Sequence, residues 1–244
     1  MDAVSADAAL ARQIAAEAGE LLLGIQAAGT LGKALGDAGD ARANRFILDR
    51  LRAERPDDFV LSEEAADDPA RCAARRLWVV DPLDGTQEFC QGRSDWAVHI
   101  GLSIDGAPVV GAVALPARGL AICTDQCRAP SAANIPPRVV VSRSRPPAEA
   151  VKVADAIGGV LVPMGSAGAK AMAVVLGEAD AYVHSGGQYV WDNCAPAAVA
   201  LAAGLHVSRL DGSPLVYNRA DTYLPDLLIC APALAGTILA VLNA

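Results

Sequence analysis

At 244 residues the chain is long enough for one large domain or two smaller ones. A hydrophobic fraction of 53%, mostly small aliphatics with only 4% aromatic, supplies a core of Ala, Val and Leu and excludes intrinsic disorder. The net charge of −8 argues against a nucleic-acid polymer or an anionic membrane as partner. It leaves a small anion open, because a bound cation inverts the local sign.

The predicted elements begin with an alanine-rich helix over Ala8–Leu23, stopped near Gly24. A second helix spans Arg42–Arg52, with Phe46, Ile47 and Leu51 at helical spacing, and Asp40 precedes it. Phe59–Leu61 is a short strand that runs directly into Ser62-Glu63-Glu64. Leu77–Val80, apolar on both faces, reads as a buried strand. Pro82 cannot donate to a ladder and pushes Asp81 towards extended backbone, so the strand is expected to end there. Three more strands follow at Trp96–Ile104, Val109–Leu115 and Leu120–Cys123, separated by turns, which implies an antiparallel meander.

The texture changes over 129–137, which holds Pro130, Pro136 and Pro137, and the domain boundary is placed there. It separates an N-terminal α+β domain, residues 1–130, from a C-terminal α/β domain, residues 137–244. Beyond it, strands at Arg138–Val141, Val160–Val162, Ala181–His184 and Leu227–Cys230 alternate with helices from Ala148, over Ala169–Leu176, over Asp192–Ala203 and near the C-terminus. Such alternation implies an α/β layer.

The six cysteines form neither a CxxC pair nor a zinc spacing and are expected to be reduced packing residues. Asp2, Asp7 and Glu17 interrupt any leader-like apolar run, and no stretch reaches the ~20 residues of a membrane span. A cytoplasmic protein with no membrane partner is expected. Gly165 to Lys170 lacks the spacing of a nucleotide triphosphate loop, so ATP binding is not expected. His99, His184 and His206 fit no catalytic motif and read as structural.

The chemistry is concentrated in Asp81-Pro82-Leu83-Asp84-Gly85-Thr86. Two carboxylates on one tight turn repel each other, and a cation between them relieves the repulsion. Oxygen donors without an accompanying His or Cys point to Mg²⁺, or Mn²⁺, rather than zinc. Asp40 and Asp192 are equally readable as helix caps, and Glu63 as a solvated loop residue. Lys170, alone in the apolar helix, reads as a surface lysine that snorkels. Spacing alone does not say whether Glu63 and Asp192 converge on Asp81 and Asp84.

Ser62-Glu63-Glu64, the Asp81–Thr86 segment and Trp191-Asp192 resemble three motifs of the inositol monophosphatase superfamily. Val60–Glu64, Val141-Ser142-Arg143-Ser144 and Gly165-Ser166 with Lys170 are closer to its CysQ branch of 3′-phosphoadenosine 5′-phosphate phosphatases. The resemblance covers nearly the whole chain. It implies a layered αβαβα sandwich of the inositol monophosphatase/fructose-1,6-bisphosphatase type, with the site between its halves.

By the same resemblance, Glu63, Asp81 and the Leu83 carbonyl hold one Mg²⁺. Asp81, Asp84 and Asp192 hold a second, and a third, weaker ion leans on Glu63. Asp40 and Thr86 polarise the attacking water. Substrate contacts are implied for Glu63, Leu83, Asp84, Gly85, Thr86, Ser142, Arg143, Ser166, Lys170, Gln188 and Asp192. The implied reaction removes the 3′-phosphate of adenosine 3′,5′-bisphosphate (PAP), or of its sulfated form PAPS, in sulfur assimilation. Inositol 1-phosphate or fructose 1,6-bisphosphate is the alternative substrate, and a lithium-sensitive homodimer the implied assembly. The departure is Cys194, two residues after Asp192, read as packing or as a site of thiol sensitivity.

Overall fold

A computed structural model describes residues 3–29, 31–130 and 133–244. Two helices lead, α1 (Ala3–Ala27) and α2 (Lys33–Glu54). Strands β1 (Phe59–Ser62) and β2 (Arg76–Asp84) follow, then the short α3 (Thr86–Cys90). Next come β3 (Ala97–Ile104), β4 (Ala107–Leu115) and β5 (Leu120–Cys123). The second half runs β6 (Arg138–Ser142), α4 (Ala148–Ala156), β7 (Val160–Met164), α5 (Ala167–Val175) and β8 (Ala181–Ser185). It closes with α6 (Val190–Ala202), β9 (His206–Ser208), β10 (Asp226–Cys230) and α7 (Pro232–Leu242).

Period-2 alternation in β2 explains the layering. Trp78 and Val80 point to α1 and α2, packing with Ile14, Leu22 and Ile47. Leu77 and Val79 point the other way, into a core shared with α5, α6 and one face of the second sheet, through Met172, Cys194, Val140 and Tyr182. The far face of that sheet, with Val139, Val141 and Leu228, is covered by α4 and α7. The five layers are therefore helices, sheet, helices, sheet, helices, as the resemblance implies. The first sheet has the order β1-β2-β3-β4-β5, parallel at β1/β2 and an antiparallel meander beyond. The second is β7-β6-β8-β10-β9, parallel among β6, β7 and β8 and antiparallel around β10.

Several expectations are corrected. Helix α2 starts at Lys33, not near Arg42, so Asp40 lies inside it rather than ahead of it. Gly36 and Gly39 disguise its first turns, yet both are buried on the stripe that continues through Ala43 and Ile47. A β-carbon at Gly36 would come 2.7 Å from the Thr86 methyl, so the helix needs glycine to approach the site this closely. Strand β2 does not stop before Pro82 but continues to Asp84, with a register shift between Asp81 and Asp84. Proline is tolerated at such a bulge because no ladder N–H is required of it. Helix α3 and strand β9 were not anticipated, both being too short to show a period. Residues 131 and 132, within the expected boundary segment, lie outside the described residues.

Candidate metal centre and active site

Strand β2 delivers the Asp81–Thr86 turn to the edge of the core. Asp81 is 1% exposed, and its Oδ1 accepts a hydrogen bond from the Leu83 N–H at 3.0 Å, folding the chain around Pro82. Gly85, at φ 88 and ψ 44, turns the backbone through the left-handed region into α3. The Thr86 hydroxyl reaches back to donate to the Leu83 carbonyl at 3.2 Å. Asp192 arrives from the other half, in the first turn of α6. It is not the N-cap residue, which is Tyr189, but stands at the third helical position, where its Oδ2 accepts from the Tyr189 N–H at 2.6 Å.

Oxygens of Asp81, Asp84 and Asp192 lie within 4.8 Å of one another, at the meeting of the two halves. Glu63 is outside this cluster. It stands at the rim with its N–H on the Val80 carbonyl at 3.2 Å, where the parallel β1/β2 pairing brings it beside Asp81.

The electrostatics record crowding. Burial first, then Asp84, Glu63 and Asp192, pushes the Asp81 carboxyl well above the usual range. Asp192 is pushed up to about 7 by burial and then by Asp84. Glu63 rises to about 7 through desolvation, then Glu64, Asp84 and Asp40. Asp40, half-buried in α2, rises to about 7 through burial, then Glu64 and Asp37. Asp84 goes the other way. Burial opposes its charge, but the donors around it outweigh burial and hold the carboxyl below the usual range. Two buried carboxylates and the partly buried Asp192, their oxygens facing one point as an all-oxygen donor set, fit a hard divalent cation of the Mg²⁺ type.

This crowding has a measurable sign. A carboxyl whose folded pKa is raised favours the folded state below its unfolded value, near 3.8, and loses that contribution as pH rises through the folded value. Without divalent cations, stability should therefore fall between about pH 4 and pH 7 and beyond. A divalent cation held at these carboxylates would take the place of the lost protons, so the rise in Tm on adding Mg²⁺ should be small at pH 5 and much larger at pH 8. Equal rises at both pH values would count against a cation at these carboxylates.

Asp84 is held almost entirely by the C-terminal half. It accepts from the Ser166 hydroxyl, from the Ala167 N–H at 3.1 Å and from the Gly168 N–H at 2.6 Å, all at the start of α5. Ser166 itself, at φ 49, caps α5 by accepting from the Ala169 N–H at 3.0 Å. Its hydroxyl is thus engaged on both sides rather than free for substrate.

Lys170 is not a surface lysine. It is 5% exposed, its Nζ donates to the Gly165 carbonyl at 3.1 Å and to the Ser166 carbonyl, and it lies 5.4 Å above the Tyr182 ring. Burial lowers its pKa, only partly offset by Asp84, Glu88 and Asp192. Arg143 is paired with Glu88 at 2.8 Å and reaches Gln91 at 3.3 Å, while the Ser142 hydroxyl accepts from the Arg145 N–H at 3.3 Å. The Gln188 side chain is buried and turned inward, donating to the Tyr182 hydroxyl at 2.9 Å and accepting from Asn193 at 3.4 Å. Cys194 is fully buried against Gly101, and burial pushes its thiol far up. It packs, and sensitivity to thiol reagents through this residue is not expected.

Two features belong to the site that the sequence pattern does not place there. His99 is buried beside Asp84, at 3.2 Å from its Oδ2. At the start of α6, Tyr189 stacks on Trp191 with centroids 4.9 Å apart, and Tyr223 meets Tyr189 edge-on at 5.5 Å. Aromatic residues clustered beside a motif aspartate were the available signal for the second; nothing local marked the first.

The chain matches the model of the inositol monophosphatase family over residues 4–243. It is 51% identical to the 3′-phosphoadenosine 5′-phosphate phosphatase of Mycobacterium leprae, over 97% of this chain and 93% of that protein. It is 53% identical to the protein of the same name from Mycobacterium bovis, over 91% of this chain and 89% of that one. Among solved structures it is similar to CysQ from Bacteroides thetaiotaomicron, with a TM-score of 0.79 and 28% identity over 93% of this chain and 97% of that one.

Proposed function

From the premise that the chain belongs to the inositol monophosphatase family, we propose that it is a 3′(2′),5′-bisphosphate nucleotidase. It is a phosphoric monoester hydrolase that converts PAP to AMP, and accepts PAPS, in sulfur assimilation. The observation that carries this reading is an acidic Asp81–Asp84–Asp192 cluster in a chain about half identical to two phosphatases named for that substrate.

Glu63, Asp81 and the Leu83 carbonyl would hold one Mg²⁺, Asp81, Asp84 and Asp192 would hold a second, and Glu63 would also serve a third ion. Mn²⁺ serves in their place, and lithium inhibits. When bound, the cations lower the pKa of water and neutralise charge on the phosphoryl oxygens. Asp40 accepts the proton of the attacking water, and the Thr86 hydroxyl, on the Leu83 carbonyl, fixes the turn that orients it. The water oxygen bonds to phosphorus as the P–O3′ bond breaks, and the departing 3′ oxygen takes a proton from solvent. The Gly85 and Thr86 N–H groups, at the left-handed turn into α3, receive phosphoryl oxygens.

The second phosphate requires Arg143 to leave Glu88, with Lys170 contributing positive potential from beneath. The Tyr189 and Tyr223 rings, 42% and 44% exposed, offer flat apolar surface beside Asp192 that suits a purine better than a polyol. The enzyme acts in the cytoplasm as a homodimer of two-domain subunits divided near 129–137. No helix among the described residues is long and apolar enough to cross a membrane.

The test is kcat/KM on PAP, inositol 1-phosphate and fructose 1,6-bisphosphate under identical Mg²⁺. PAP is expected to lead by an order of magnitude or more. If it is the poorest of the three, the nucleotide assignment fails while the phosphatase assignment stands.

A further inference from the structure

His99 has no solvent-exposed surface and sits on β3 directly across the ladder from Asp81. Its Nδ1 lies 3.1 Å from the Trp191 carbonyl, and since a carbonyl only accepts, Nδ1 carries the hydrogen. Its Nε2 lies 3.2 Å from Asp84 Oδ2, off the line of an ideal hydrogen bond, and Nδ1 is 4.0 Å from Asp81 Oδ2. One flat ring therefore touches the carboxylate of Asp84 and the peptide leading into Asp192, and borders Asp81. Helix α5 closes on the same ring. A β-carbon at Gly168 would stand 2.0 Å from Nε2, and the Gly168 N–H donates to the Oδ2 that Nε2 faces.

The Ser166 hydroxyl and the Gly168 N–H donate to Oδ2, which the His99 ring also flanks, and Oδ1 of Asp84 is left with a single donor, the Ala167 N–H. That asymmetry reserves one oxygen of Asp84 for a ligand. Turning the ring over would set carbons against a carbonyl and a carboxylate, so its orientation is locked from both ends.

We propose that His99 is a positioning residue that braces Asp84 against the Trp191 peptide, fixing the separation of Asp84 and Asp192 and thereby the cation site they share. This rests on the reading of those two aspartates as ligands. It acts through the ligands and touches neither cation nor substrate. Partners that orient a metal ligand in this way are typically worth about 10- to 100-fold in metal affinity.

The experiment is titration of Mn²⁺ into metal-free protein, with free Mn²⁺ read by electron paramagnetic resonance and the metal-free Tm recorded in parallel. His99→Asn can reach the Trp191 carbonyl but not Asp84, and should weaken the Asp84–Asp192 ion by about 10- to 100-fold. His99→Gln restores a polar group that reaches the Nε2 position beside Asp84 and should recover most of that affinity. Gly168→Ala approaches the contact from the other side, pushing the imidazole off Asp84 with His99 intact, and should weaken the same ion. It keeps the question open to test if the His99 variants do not fold.

Mn²⁺ binding by His99→Asn or Gly168→Ala within about threefold of wild type overturns the proposal. So does a His99→Gln protein that melts like wild type yet binds as weakly as His99→Asn, because the ring would then act by bulk alone. Wild-type protein that binds no Mn²⁺, or an Asp192→Asn protein that binds it normally, would instead sink the metal-site reading itself.

Discussion

Asp81→Asn is expected to cut phosphate release on the order of 10³-fold or more, about 4 kcal/mol in the barrier, while raising the Tm of the metal-free protein. Both effects follow from the same burial. Asp81 is 1% exposed and faces Asp84, Glu63 and Asp192, so its charge is opposed by desolvation and by three like charges. Asparagine keeps an oxygen to accept the Leu83 N–H, so the turn around Pro82 survives. It removes the charge that both proposed cation sites share. At pH 8 in EDTA the variant should melt above wild type, because it no longer carries the repulsion. As the pH falls and protons relieve the crowding around Asp81, the gap should shrink. Saturating Mg²⁺ should reverse the order, since only wild type gains the cation. Retained turnover, or a variant less stable than wild type in EDTA at pH 8, would remove Asp81 from the centre of the site.

Asp40→Asn should lower kcat by about 10²- to 10⁴-fold, the range of a lost general base, with Mn²⁺ affinity close to wild type. Asp40 lies one helical turn beyond Gly36, the residue that lets α2 come against Thr86. Its carboxyl, pushed up to about 7 by burial and then by Glu64 and Asp37, is poised to accept a proton near neutrality. Wild-type kcat/KM should therefore rise as pH passes through about 7, and the residual activity of the variant should lack that limb. A variant that loses metal along with rate would make Asp40 a ligand rather than a base.

These two residues also mark what could be read from the chain. Asp81 was legible because its partner Asp84 is three positions away, on a turn whose proline and glycine announce it. The strand–helix alternation beyond Arg138 was legible for the same reason, as each element carries its own period. Asp40 was recognised but misplaced, because Gly36 and Gly39 look like a loop until α3 is packed against them. Lys170 looked exposed because a helix of small apolar residues does not say how many sides are covered; α5 lies between two sheets. His99 reads only as structural in the sequence because its partners lie elsewhere, Trp191 being 92 positions on. Convergence of Asp192 on Asp81 and Asp84 is likewise a product of packing, and no spacing encodes it.

The dependence of Asp84 on Ser166, Ala167 and Gly168, and of the cluster on Asp192, has a consequence for the order of events on the ribosome. When Asp81 and Asp84 leave the exit tunnel, about a hundred residues separate them from Asp192. At ordinary elongation speeds that is a wait on the order of 5–20 s. During it, β2 exposes two carboxylates that have neither helix-end donors nor a third acidic partner. The nascent N-terminal half can form its meander in that interval but holds an unfinished cation site. Metal capture and closure of the two halves then become late and mutually dependent steps in the birth of the molecule.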